Sequence, residues 1–232
     1  MATMDEYIDL ADAAYGNNSD PKQPPHGWTA QVREWATWYG NGFQGGVFVS
    51  PKKSEVVVAF SGTKGGPLTA PVSQNSANAR IGINVIPNMA GGAFDMVKWA
   101  RQHNPNLPIS ICGHSLGGGL AQVVGNWSGY PFISFNGPGM KSHMKMSAFN
   151  LFKPMQMVRS ALSKNTDDTI GLCFTVKGDT IGELGYHIGH EIEVPYSGNT
   201  PRHSMWAITS GIFAKGWRHS TPRDIYSIWP KS

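Results

Sequence analysis

Gly113-His114-Ser115-Leu116-Gly117 places a serine between two glycines at the spacing G-x-S-x-G. An apolar run, Pro108 to Cys112, leads into it. After it, Leu116, Leu120, Val123, Val124 and Trp127 repeat at helical spacing. A strand, a sharp turn and a helix are the context in which a serine hydroxyl is held out as a nucleophile. Gly113 and Gly117 keep side chains away from the neighbouring strand and helix, and the amino end of the helix favours an oxyanion beside Ser115. His114 adjoins the serine, but adjacent residues on a tight turn point apart, so it reads as structural.

A serine nucleophile needs a base, and the base needs an orienting carboxylate. In a sheet of this kind the chain order is serine, acid, histidine. No acid stands between Ser115 and Asp167, which leaves Asp167, Asp168, Asp179, Glu183, Glu191, Glu193 and Asp224. Asp179 directly follows an apolar strand, Leu172 to Val176, and working residues gather in loops beyond the carboxyl ends of strands. Asp167 and Asp168 precede that strand and fall at its wrong edge. His203 lies in a loop just before a helix pattern and is the favoured base. His187, His190 and His219 are its rivals.

These residues must be carried by a particular scaffold. Thr3 to Tyr15 predicts a helix stopped by Gly16, and Gly46–Ser50 with Glu55–Phe60 a strand–turn–strand unit. Lys64 to Gly92 reads as a long Gly/Pro/Asn-rich connection, the sort of loop that serves as a lid, followed by a helix over Ala93–His103. Short buried strands are expected at Pro108–Cys112, Phe132–Phe135, Leu172–Lys177 and His190–Val194, and helices at Ser115–Trp127 and Arg202–Phe213. Alternating strands and helices argue a mainly parallel, doubly wound α/β sheet with helices on both faces. One domain over residues 1–232 is expected, with a lid at 64–92 and a cap at 140–165.

Composition narrows the class. The chain has 232 residues, 40% hydrophobic and 15% charged, which excludes disorder as its main state. Its 28 glycines and 16 prolines follow no G-X-Y period, so it is not collagenous. Cys112 and Cys173 sit in apolar runs and read as two buried thiols, neither a disulfide framework nor a zinc site. No run is apolar enough for a membrane span, and the acidic N-terminus is unlike a secretory signal. The chain is therefore expected to be made in the cytoplasm, with any export using a signal-independent system.

The formal net charge is +4, concentrated in the middle of the chain. Residues 56–166 hold a single acid, Asp95, which suits either a solvated cationic surface or attraction to an anionic partner, most simply a membrane surface. The bases are spread thinly and no nucleic-acid motif is present, so nucleic acid is not an expected partner. Met140, Met144, Met146, Met155 and Met157 alternate with Lys141, Lys145, Lys153, Arg159 and Lys164. Such a segment suits a cap packed over the sheet, a lipid-facing surface, or both.

Several of these landmarks resemble class 3 (fungal-type) lipases. Val58-Ala59-Phe60-Ser61-Gly62-Thr63 resembles their FRGT strand end, with Ser61 in place of the arginine, and Gly113 to Gly118 resembles their GHSLGG elbow. Phe135-Asn136-Gly137-Pro138-Gly139, Gly178-Asp179 and His203-Ser204-Met205 resemble later landmarks of bacterial members. The resemblance implies an α/β-hydrolase fold without metal or cofactor, with Ser115 as nucleophile, Asp179 as acid and His203 as base. It implies oxyanion donors at the backbone N–H groups of Thr63 and Leu116, and a lipid or phospholipid ester as substrate. The segment after Thr63 lacks the acidic, Trp-containing stretch common in the family, which implies a differently built entrance. Small bacterial relatives include lipases delivered into rival cells as antibacterial toxins, which brings the expectation of an inhibitory (immunity) protein. A soluble short-chain esterase, an acyltransferase using the same residues, and a catalytically silent binding module are the competing readings.

Overall fold

Val56-Val57-Val58-Ala59-Phe60 is apolar and buried at every position, as a strand covered on both faces must be. The computed structural model describes residues 1–16, 19–33, 44–62, 76–142 and 170–228, with the backbone alone for 76–88. Seven strands form one sheet in chain order: β1 (Thr29–Val32), β2 (Gly45–Val49), β3 (Val56–Phe60), β4 (Ile109–His114), β5 (Phe132–Phe135), β6 (Gly171–Val176) and β7 (His190–Val194). β1, β2 and β3 pair antiparallel; β3 through β7 are parallel.

The period-2 alternation sends each strand's side chains to two separate cores. Val56, Val58, Phe60, Ile109 and Ile111 join one face with helices α2 (Ser76–His103) and α3 (Leu116–Ser128). Val57, Ala59, Cys112, Ile133, Phe135 and Phe174 join the other with α1 (Met4–Ala13) and α4 (Met205–Ala214). Because the strands follow in order, the crossovers through α2 and α3 lie on the same face. The opposite face is covered by the two ends of the described chain, α1 and α4. They are tied together where the Met4 and Asp5 N–H groups donate to the Ser220 and Arg218 carbonyls at 2.9 and 3.0 Å.

The mainly parallel α/β sheet with helices on both faces is thus as expected, and the strands at 132–135 and 190–194 have the expected bounds. One local reading is corrected, and two elements are added. Residues 76–92, read as loop, begin α2; their Asn, Gly and Pro content hides a helix that extends into the buried Met89–Ala100 stretch. β1 was not anticipated, because its half-exposed residues show no continuous apolar run. The tail forms a short helix, α5 (Pro222–Ser227), opened by a capping box between Thr221 and Asp224.

Of the expected lid, residues 64–75 lie outside the described residues, and so do residues 143–165 of the expected cap. Met140 is fully buried against the α2/α3 face, while Lys141 is exposed. Cys112 and Cys173 are free, buried thiols, as read from the sequence.

Candidate active site

Parallel strands bring their carboxyl ends to one edge, and that edge gathers Ser61–Gly62 after β3, Ser115 after β4, Asn136 after β5 and Asp179 after β6. Ser115 has φ 58° and ψ −128°, a strained conformation for a side chain with a Cβ. Its surroundings hold it there. The Ser115 N–H donates to the Phe135 carbonyl at 3.0 Å, and the Gly118 N–H donates to the Ser115 carbonyl at 2.9 Å. The two glycines are required by space: a Cβ on Gly113 would lie 2.3 Å from the Gly117 carbonyl oxygen, and one on Gly117 only 2.1 Å from that of Phe60.

His203 Nε2 lies 2.7 Å from Ser115 Oγ, and His203 Nδ1 lies 2.9 and 3.1 Å from the two carboxylate oxygens of Asp179. A carboxylate only accepts, so the ring proton sits on Nδ1 and Nε2 is free to accept the serine proton. Asp179 is 1% exposed and also accepts from the Ile181 and Gly182 N–H groups at 3.2 and 3.3 Å. His203 immediately precedes the N-cap of α4, where Ser204 Oγ accepts from the Ala207 N–H at 3.1 Å. A helix start therefore fixes the backbone from which the imidazole projects.

Three side chains that stand far apart in the sequence are thus brought together. The rivals are placed elsewhere. His187 is buried and its Nε2 donates to the Gly182 carbonyl at 2.8 Å, bracing the loop that presents Asp179. His190 opens β7 at its amino end and packs edge-on against Tyr226. Asp224 serves the cap of α5. Leu116 opens α3, so its N–H belongs to the first turn, which has no acceptor within the helix. Thr63 lies outside the described residues, but Gly62 is against the nucleophile: a Cβ there would approach Ser115 Cβ to 3.0 Å. Ser61, at the arginine position of the FRGT pattern, is buried and donates to the Gln44 carbonyl at 3.2 Å. Among the described residues, no group of three or more His, Cys, Asp or Glu side chains is arranged to hold a metal.

Two neighbours matter more than the sequence suggested. Asn136 is fully buried at φ 47°; its Nδ2 donates to the Arg202 carbonyl at 3.1 Å, and its Oδ1 accepts from the Val176 N–H at 2.9 Å. His114 is also buried, with Nε2 2.9 Å from the His203 carbonyl and Nδ1 2.9 Å from the Tyr15 hydroxyl. Burial pushes the His114 imidazole down to about 3, helped by the nearby His203. Tyr15 could not have been found from the sequence, since only the fold returns the end of α1 to the catalytic edge.

A phospholipase-like family model, the Tle-like phospholipase domain, matches residues 6–182. The chain belongs to that family. A Vanderwaltozyma polyspora protein, ATG15, whose name describes it as a candidate lipase, is 24% identical over 239 residues; the match covers 87% of this chain and 38% of that protein. Among solved structures, MDLA from Penicillium cyclopium superposes with a TM-score of 0.51 at 16% identity, covering 98% of this chain and 94% of its own. LIP2 lipase from Yarrowia lipolytica gives 0.51 at 14% identity over 85% and 81%. A triacylglycerol lipase described as having a serine protease triad at its catalytic centre gives 0.51 at 12% identity over 82% and 78%. At these identities the structural likenesses speak for the shared α/β-hydrolase fold.

Proposed function

We propose that the protein hydrolyses carboxylic esters of lipids, in the manner of a lipase or phospholipase A, through Ser115, His203 and Asp179. The observation that carries this reading is the unbroken line from Ser115 Oγ to His203 Nε2 at 2.7 Å and from His203 Nδ1 to Asp179 at 2.9 Å, with the serine on its strained corner. Membership of a phospholipase-like family supports the lipid substrate.

In this mechanism Ser115 Oγ attacks the ester carbonyl carbon while His203 Nε2 takes the hydroxyl proton. Asp179 holds the imidazole in the Nδ1–H tautomer and offsets the charge that forms on it. The N–H groups of Leu116 and Thr63 stabilise the oxyanion, roughly 3–4 kcal/mol each. Collapse of the tetrahedral intermediate expels the alcohol, which takes the proton back from His203. Water, deprotonated by the same imidazole, then releases the fatty acid and restores Ser115. Delivery into a rival cell and neutralisation by an inhibitory protein belong to the same proposal, supported by the resemblance to contact-delivered lipases.

Mass spectrometry of products from mixed phospholipids and triglycerides tests the reading. Ser115→Ala is expected to lower turnover by several orders of magnitude while the circular dichroism and melting of the fold stay as in the parent. Parent-like hydrolysis by Ser115→Ala overturns the nucleophile assignment. Products that appear only from dissolved short esters move the substrate class to a soluble esterase, and ester exchange in the presence of an alcohol moves it to an acyltransferase.

A further inference from the structure

We propose that Tyr15 and His114 act as one positioning pair that fixes the backbone of His203 against the nucleophile corner and the oxyanion strand end. The inference rests on the ester-hydrolase reading and assigns these two residues a part in it. Three loops meet here. The Tyr15 hydroxyl packs against Gly62, next to the expected donor Thr63: a Cβ on Gly62 would lie 2.6 Å from it. Tyr15 lies 2.9 Å from His114 Nδ1, and His114 Nε2 lies 2.9 Å from the carbonyl of His203 itself.

Chemistry fixes the direction of every bond. A carbonyl only accepts, so His114 Nε2 carries the ring proton. A neutral imidazole has one N–H, so Nδ1 accepts and the Tyr15 O–H donates. The polarity runs without conflict from Tyr15, through His114 at the end of β4, to the loop before α4. The middle of the relay is buried: His114 is 6% exposed, and an unpaired donor or acceptor there would be costly.

The location argues for catalysis over general cohesion. The restrained carbonyl belongs to the residue that bears the base, and the carbonyl before it, of Arg202, is held by Asn136. A shift of about 1 Å at such a backbone is enough to misplace the imidazole and slow the reaction roughly 10²-fold. Electrostatics agree. The two imidazole centroids are 5.1 Å apart, and His203 becomes positively charged during acyl transfer. A second cation in the buried neighbour would oppose that charge. Burial keeps His114 neutral and spares the site that repulsion.

Kinetics on a dissolved p-nitrophenyl ester test the pair. Tyr15→Phe, which keeps the ring, is expected to lower kcat about 10-fold with KM within twofold and little change in melting temperature. His114→Leu is expected to lower kcat about 100-fold. His114→Gln, which can place an N–H near the old Nε2, should recover part of that loss. The double variant Tyr15→Phe/His114→Leu should fall no further than His114→Leu alone, because a relay broken once is broken. Parent-like kcat in Tyr15→Phe, an effect on KM alone, or losses that multiply in the double variant overturn the proposal. Fluorophosphonate labelling of the parent keeps the two readings apart. An unlabelled parent refutes the hydrolase reading, whereas a labelled parent with indifferent variants refutes the pair. Nitrogen-15 NMR of the histidines reads the relay without catalysis: the Nε2–H tautomer at His114 is expected, and the Nδ1–H tautomer overturns the assignment.

Discussion

At the scale of single residues, the site separates two histidines by their surroundings. His203 keeps 18% of its side chain exposed and faces a carboxylate and a hydroxyl; His114 is enclosed and faces a hydroxyl and a carbonyl. The folded protein therefore refuses a proton at His114 that the unfolded chain accepts. The ordinary histidine value of 6.5 falls to about 3, so between these limits the unfolded state binds more protons than the folded one. Stability must fall as the pH drops from 6.5 towards 3, by up to roughly 1.4 kcal/mol per unit from this residue alone. Carboxylates add their own acid dependence, so the comparison with His114→Gln isolates the effect. Denaturant midpoints across this range should show a shallower acid loss in the variant; parallel curves would mean that His114 is protonated in both states.

At the scale of elements, the nucleophile corner depends on how closely α3 approaches β3. The sequence announced the corner because Gly113 and Gly117 bracket the serine, and the structure shows what the second glycine avoids: the carbonyl of Phe60, at the very end of β3. A methyl group there cannot be absorbed by a flexible side chain. Gly117→Ala is expected to cost about 3 kcal/mol or more in urea unfolding, and to lower activity in the protein that still folds by pushing the strand end that carries Gly62. Parent-like stability would show that α3 can retreat. The neighbouring elements differ in legibility for local reasons. β3 to β6 are continuous apolar runs and could be read off directly. β1 could not, since its exposure alternates without large apolar residues, and the amino-terminal part of α2 was concealed by Asn78, Asn84, Pro87 and Gly91, poor helix formers.

For the whole molecule, the sheet order leaves one face with no crossover helix among the described residues, and α1 and α4 cover it. This arrangement makes α1 part of the catalytic edge as well as of the core, since Tyr15 follows directly from it. Among the described residues no helix is long and apolar enough to cross a membrane. On the proposed lipid-hydrolase reading, the basic middle of the sequence would attract an anionic lipid surface. Binding to liposomes is expected to rise with the fraction of anionic lipid and to weaken as salt is raised from low to about 0.5 M, where screening acts within a few ångströms. Salt-independent co-sedimentation would assign the attachment to apolar contact instead.

The sequence by itself determined the serine corner and the α/β alternation, because each is written in neighbouring residues whose spacing obeys local steric rules. It favoured Asp179 and His203 through chain order and strand position but left His187, His190 and His219 open. Only the tertiary structure shows which of them stands beside Ser115, since that depends on which loops converge where parallel strands end. The Tyr15–His114–His203 relay was beyond reach for the same reason: its members lie 99 and 89 positions apart in pairs, and nothing local in a chain records which distant carbonyl a buried ring will meet.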